Sequence, residues 1–118
     1  MENKSLVRDK SFLFSVRIVK LYQYLSASKK EFILSKQLVR SGTSIGANIH
    51  EAVQGTSKRD FIYKLSLSLK EANETAYWLK LLKETEYITS TELDSILPDC
   101  NELIKMLTSI IKTSKLNS

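Results

Sequence analysis

The stretch R-S-G-T-S-I-G-A-N, residues 40–48, decides how the chain is read. Taken locally it looks like a loop. Two glycines and several small polar residues are poor helix formers, and each glycine costs a helix about 1 kcal/mol relative to alanine. The apolar spacing argues the other way. Leu34, Leu38, Ile45, Ile49 and Ala52 lie near one face of a continuous helix that passes through the stretch. A loop here would be more than about twenty residues long, which counts against it in a compact domain. The spacing therefore predicts a helix over about 32–54. In it, Gly42, Ser44 and Gly46 let a neighbouring backbone approach closely, and that packing has to offset the poor propensity.

Working outward, the preceding segment predicts a helix over about 5–25. Phe14, Ile18, Leu21 and Leu25 form its core stripe, with Phe12, Val16 and Val19 adjoining, so its buried face is expected to be wide. S-A-S-K-K, 26–30, is a polar connection. G-T-S, 55–57, punctuates the other side: Gly55 suits the residue past a helix end, and Ser57 suits an N-cap with Asp60 in the first turn. A third helix follows over about 58–85, with Phe61, Leu65, Ser68, Ala72, Ala76, Leu79 and Leu82 as its stripe. T-S-T-E, 89–92, reads as a capping box. It opens a fourth helix to about 112, carried by Leu93, Ile96, Leu97, Cys100, Leu103, Ile104, Leu107 and Ile111. Pro98 should kink that helix or delay its regular start. The tail T-S-K-L-N-S should fray. Four long amphipathic helices with short connections imply one all-α domain over 1–118, an antiparallel up-down-up-down four-helix bundle.

Composition agrees. The chain has 118 residues, 42% of them hydrophobic, with only three Gly and one Pro. That length can bury a core without metal or disulfide staples. Cys100 is the only cysteine, so no intramolecular disulfide can form. The N-terminal M-E-N-K-S-L has no signal-peptide core, and no apolar run approaches a membrane span. A cytoplasmic protein with no membrane partner is the simplest account. The formal charge of +5 is unevenly spread. Residues 1–40 hold nine Lys/Arg and three acids, whereas residues 41–118 hold nine basic and ten acidic residues. A basic first third can attract nucleic acid, with Lys10, Arg17, Lys20, Lys29, Lys30 and Lys36 as candidates; it can also be an ordinary solvated helix face.

Folding the second and third helices about Gly55–Thr56 places Arg40 level with Glu71 and Ser44 level with Ser68. Arg40, Ser44, Asn48 and Glu51 then form one polar stripe, faced by Leu67, Glu71, Glu74 and Trp78. An arginine fork matches a carboxylate, so Arg40 should pair with Glu71 or Glu74. The cluster is either a ligand site or an internal polar clamp, and the clamp is the better fit because such networks fix packing. Metal is not expected: Glu71-x-x-Glu74 exists, but the only histidine, His50, has no glutamate three residues before it. No phosphate-cradling glycine loop, serine elbow or Cys–His pair suggests catalysis or a cofactor. The third helix, with Tyr63, Leu67, Leu69, Tyr77, Trp78, Leu81 and Tyr87, has apolar residues on more than one side and predicts a homo-oligomer.

Four runs carry a family resemblance: D-K-S-F-x-F-x-V-R-I-V-K-L at 9–21, S-K-Q-L-V-R-S-G-T-S-I-G-A-N-I-H-E-A at 35–52, S-K-R-D-F-I-Y-K at 57–64 and L-K-E-A-N-E-T-A-Y-W-L-K-L-L at 69–82. Together they resemble the bacterial four-helix bundle proteins named after the intervening sequences of 23S ribosomal RNA genes, over nearly the whole chain. The resemblance implies a bundle that assembles as a ring, with a homopentamer favoured. It also implies kinship with the accessory variability determinant proteins of diversity-generating retroelements, whose pentamers engage a reverse transcriptase and nucleic acid. Arg40, Ser41, Ser44, Asn48, Glu51, Glu71 and Glu74 stand at the family's signature positions, and Pro98 matches nothing in its pattern. The function to expect is a non-catalytic, oligomeric, nucleic-acid-associated protein. The alternative is a scaffold that binds another polypeptide without nucleic acid.

Overall fold

The structure, a computed structural model, describes residues 2–55 and 57–117, and side chains from residue 4 onward. It is an all-α, antiparallel four-helix bundle: α1 (Glu2–Ala27), α2 (Leu34–Val53), α3 (Lys58–Glu84) and α4 (Ser90–Leu116). No strand occurs among the described residues. The rod measures 47 × 21 × 19 Å. Its length follows from helices of up to 27 residues, at about 1.5 Å per residue. Each helix packs on the next in chain order, and α4 returns to α1 across the loosest seam of the four.

The helix ends show why these segments start and stop where they do. α1 runs past residue 25 and closes on itself, with Ser28 N–H donating to the Tyr24 carbonyl (2.8 Å) and Glu31 N–H to that of Leu25 (2.9 Å). Lys30, at φ 56°, takes the left-handed position that glycine usually fills in such a closure. α2 starts at Leu34 rather than 32, because Glu31 folds back over its first turn. One carboxylate oxygen accepts from the N–H groups of Ile33 (3.1 Å) and Leu34 (3.0 Å), the other from Ser35 (2.7 Å). Three orphan amides at the helix start are thereby satisfied. Burial pushes the Glu31 carboxyl upward, but those backbone bonds outweigh it and hold it below its ordinary value. At the other end of the rod, Ser57 accepts from Asp60 N–H (3.0 Å). Thr56, half of the expected turn, lies outside the described residues. Thr89 and Glu92 form the reciprocal capping box.

The stretch 40–48 is wound into α2 throughout. Gly42 and Gly46 are buried against α1. A Cβ added to Gly42 would lie 2.7 Å from Ile18 Cγ2, and one on Gly46 would lie 3.3 Å from the Ser11 carbonyl oxygen. Ser44 takes no part in this approach; it is half-buried and bonds to its own helix. The core is filled by Phe14, Ile18, Leu25, Leu38, Ile45, Ile49, Leu65, Leu79, Leu82, Leu103 and Leu107, all less than 2% exposed. Cys100 is sealed between α3 and α4, its Sγ 3.3 Å from the Ala72 carbonyl oxygen; burial pushes its thiol up to about 12.

Three expectations need correction. Pro98 does not delay α4, which is regular from Ser90, well before the proline. The proline is exposed, and one turn earlier the Ser95 carbonyl accepts a bond from Arg17 (2.9 Å). The tail does not fray at 112, since α4 continues to Leu116 and Lys58 Nζ reaches the Asn117 carbonyl (2.7 Å). The wide buried face of α1 is also overturned: Phe12, Val16 and Val19 are exposed, while Val7, Phe14, Ile18 and Leu25 enter the core and Leu21 packs half-buried against it.

Candidate functional site

The polar residues of the α2–α3 seam divide into a buried ladder and an outer clamp. In the ladder, Thr75 Oγ1 donates to Ser41 Oγ (2.9 Å), and Ser68 Oγ donates to the Ile45 carbonyl (2.8 Å). Ser41, Ser68 and Thr75 are fully buried. Among the described residues no buried side-chain nitrogen or oxygen lacks a partner, which is the condition for such a ladder to be tolerated. In the clamp, the Arg40 guanidinium donates to Glu71 Oε1 (3.3 Å) and to Glu74 Oε2. Trp78 Nε1–H also donates to Glu74 Oε2, at 2.9 Å, so one carboxylate serves both the arginine and the indole.

The rest of the expected stripe does not join the clamp. Ser44 Oγ donates to the Arg40 carbonyl (2.6 Å), and Asn48 Nδ2 to the Ser44 carbonyl (2.9 Å). Glu51 pairs with Lys64 (2.7 Å), and this bond holds the lysine above its ordinary pKa. The clamp is also less buried than a core ion pair, with the Arg40 side chain 48% exposed. Solvent screening then limits it to about 1 kcal/mol or less.

The six basic candidates separate in the same way. Lys10 pairs with Glu102 (3.1 Å). Arg17 donates to Asp99 Oδ2 (2.8 Å), the Ser95 carbonyl (2.9 Å) and Ser95 Oγ (2.8 Å). Both side chains are thus committed across the α1–α4 seam. Lys20, Lys29, Lys30 and Lys36 are exposed and make no ion pair among the described residues. Three of these lysines, 29, 30 and 36, sit at the α1–α2 connection, at one end of the rod.

Apolar surplus is found on a different helix from the one expected. Leu67, Leu69, Trp78, Leu81 and Tyr87 of the α3 region are half-buried within the chain, and only Tyr63 and Tyr77 stand out. On α1, by contrast, Phe12 (59%), Leu13 (64%), Val16 (38%) and Val19 (37%) are exposed within about two turns, with Leu6 and Tyr24 beyond them. α1 is therefore apolar on its core side and on its solvent side. His50 lies beside this surface, its ring centroid 6.4 Å from that of Phe12 and its Nδ1 2.9 Å from the Gly46 carbonyl oxygen. Among the described residues no group of three or more His, Cys, Asp or Glu is placed to hold a metal, and no helix is long and apolar enough to cross a membrane.

Several of these features escaped the sequence reading. Ser41–Thr75 was missed although both hydroxyls fall on core-facing steps of their helices. The Glu31 cap had a signal, an acid just ahead of a helix start. The Lys10 and Arg17 pairs had none, since they depend on α4 returning to α1.

No curated protein matches the chain. A solved structure does, with a TM-score of 0.92 and 58% identity over 93% of this chain and 98% of that one. It is a protein of unknown function from the S23 ribosomal protein family of Bacteroides thetaiotaomicron VPI-5482. The model of the 23S rRNA-intervening sequence protein family matches residues 3–109. With the bundle, its glycine-lined α2 and a family match over nearly its whole length, the chain belongs to the 23S rRNA-intervening sequence protein family.

Proposed function

We propose that this protein is a non-catalytic, self-assembling bundle whose copies pack through the outer face of α1 and whose lysine-bearing end meets nucleic-acid phosphates. The observation that carries this reading is the second apolar face of α1, built on Phe12, Leu13, Val16 and Val19. α1 carries a second apolar face that its own bundle leaves uncovered, and such a face calls for a partner. A second copy is the partner that every molecule of this protein meets. A closed ring, the pentamer implied by the family resemblance, covers every copy of the face without leaving a free end. The unpaired lysines supply the electrostatic attraction, which should weaken steeply with salt.

Light scattering tests the assembly. The wild-type protein should give a mass several times the 13.5 kDa of the chain. The double substitution Leu13→Glu with Val16→Glu should give 13.5 kDa with unchanged helix content. A wild-type monomer at micromolar concentration removes the assembly reading, and no binding to RNA or DNA at low salt removes the nucleic-acid reading.

The exposed rings of Tyr63 and Tyr77 on α3 favour one second reading, a scaffold for another polypeptide. Nuclease-resistant capture of a defined protein, lost on Tyr63→Ser with Tyr77→Ser, would support it.

A further inference from the structure

The α1–α2 connection holds a surface that assembly through α1 does not use. Lys29, Lys30 and Lys36 are exposed there, together with Phe32 (51%) and Ile33 (77%). The segment K-K-E-F-I contains one acid, Glu31, and the fold turns that carboxylate inward as the cap of α2. What faces solvent from this segment is therefore cationic and apolar only. Lys36 stands in the first turn of α2, where a cation opposes the helix dipole, and the acid over that turn, Glu31, is taken up by backbone amides. Lys30 occupies a left-handed backbone position at φ 56° that glycine would fill with less strain. Neither lysine sits where it helps its own helix.

We infer that this connection is a binding tip for single-stranded nucleic acid, with Lys29, Lys30 and Lys36 on phosphates and the Phe32 ring stacked on a base. Lysine next to an open aromatic ring is the chemistry that recognises unpaired strands, because every base has a face to stack and a phosphate beside it. A duplex hides its base faces, and one short connection does not span its grooves. An anionic membrane is disfavoured by the rest of this end of the rod. Glu86, exposed in the α3–α4 connection, and Glu84, exposed at the end of α3 and paired with Lys83 (3.4 Å), lie at the same end. A flat bilayer would meet those carboxylates together with the lysines, whereas a single strand can follow the basic half alone. Lys29 stands 6.0 Å above the Tyr24 ring, which leaves Phe32 as the free stacking surface. The inference rests on the charge reading above and adds strand preference to it.

Fluorescence anisotropy with the full-length protein at low salt separates the two. The probes are a short pyrimidine single strand, the duplex of the same length, inorganic polyphosphate, and vesicles of mixed phosphatidylserine and phosphatidylcholine. The single strand should bind more tightly than the duplex. Phe32→Ala should weaken the single strand about tenfold while leaving polyphosphate unchanged. Lys30→Gly should weaken both polyanions while the melting temperature holds or rises, which no merely structural role for Lys30 would produce. Equal affinity for single strand and duplex, untouched by Phe32→Ala, overturns the stacking tip and leaves the charge reading standing. Vesicle binding lost on Phe32→Ala overturns it in favour of a membrane. No binding of any polyanion overturns both.

Discussion

Along α1, the seam toward α2 and the seam toward α4 are made of different things. Toward α2 the contact is shape: Ile18 fits the space left by Gly42, and the Ser11 backbone lies against Gly46. Toward α4 the contact is charge: Lys10 reaches Glu102 and Arg17 reaches Asp99 along a groove that Phe14 and Leu103 also line, and Arg17 reaches Ser95 beside a second groove with Leu21 and Ile96. The first seam has no room for a side chain at Gly42 and little at Gly46. The second is the loosest in the bundle and is partly open to water. One helix is thus fixed in place by packing and closed by ion pairs. Salt should act on its two sides unequally.

The largest effect should come from filling the tight side. Gly42→Val should cost about 1–3 kcal/mol in urea unfolding, because Ile18 has no room to retreat. Ile18→Ala should recover part of that loss, so the double substitution costs less than the sum of the two. Strict additivity would mean that the two residues do not compete for space.

A smaller effect belongs to the corner that joins α1 to α2. Glu31→Gln should cost about 1–2 kcal/mol at neutral pH, since a charged cap on three amides is replaced by a neutral one. The folded carboxyl is held below its ordinary value of 4.5, so its stabilisation is complete above that pH and is lost as pH falls through the lowered value. The gap between wild type and variant should therefore close in acid. A gap that persists once the carboxyl is protonated in acid would mean that its charge is not the source of the effect.

The smallest effect lies on the charged side. Arg17→Ala should cost about 1 kcal/mol or less, because the Arg17 and Asp99 side chains are 39% and 49% exposed. The loss should shrink in molar salt, while the Gly42→Val loss stays constant. Equal salt dependence for the two would erase the distinction between the seams.

Most of the fold is legible in the chain, and the reasons are local. Ser57 with Asp60 and Thr89 with Glu92 mark helix starts by chemistry that needs no partner helix. Ile45 and Ile49 keep the apolar period running through the glycines. The candidate site is less legible. Periodicity shows that α1 is widely apolar, but it does not separate a side chain covered by its own core, such as Phe14, from one turned outward, such as Phe12. Charge counting likewise treats Lys10, Arg17 and Lys30 alike. Only the return of α4 to α1 neutralises the first two, and only the fold of Glu31 removes the acid beside the third.

The sealed thiol between α3 and α4 makes the molecule its own chemical clock. Cys100 is the sole cysteine, and with its thiol raised to about 12 it offers an alkylating reagent almost no nucleophile while the interior stays shut. Each labelled molecule therefore records one parting of those two rods. Because the mark is covalent, that breathing could be timed without an engineered probe.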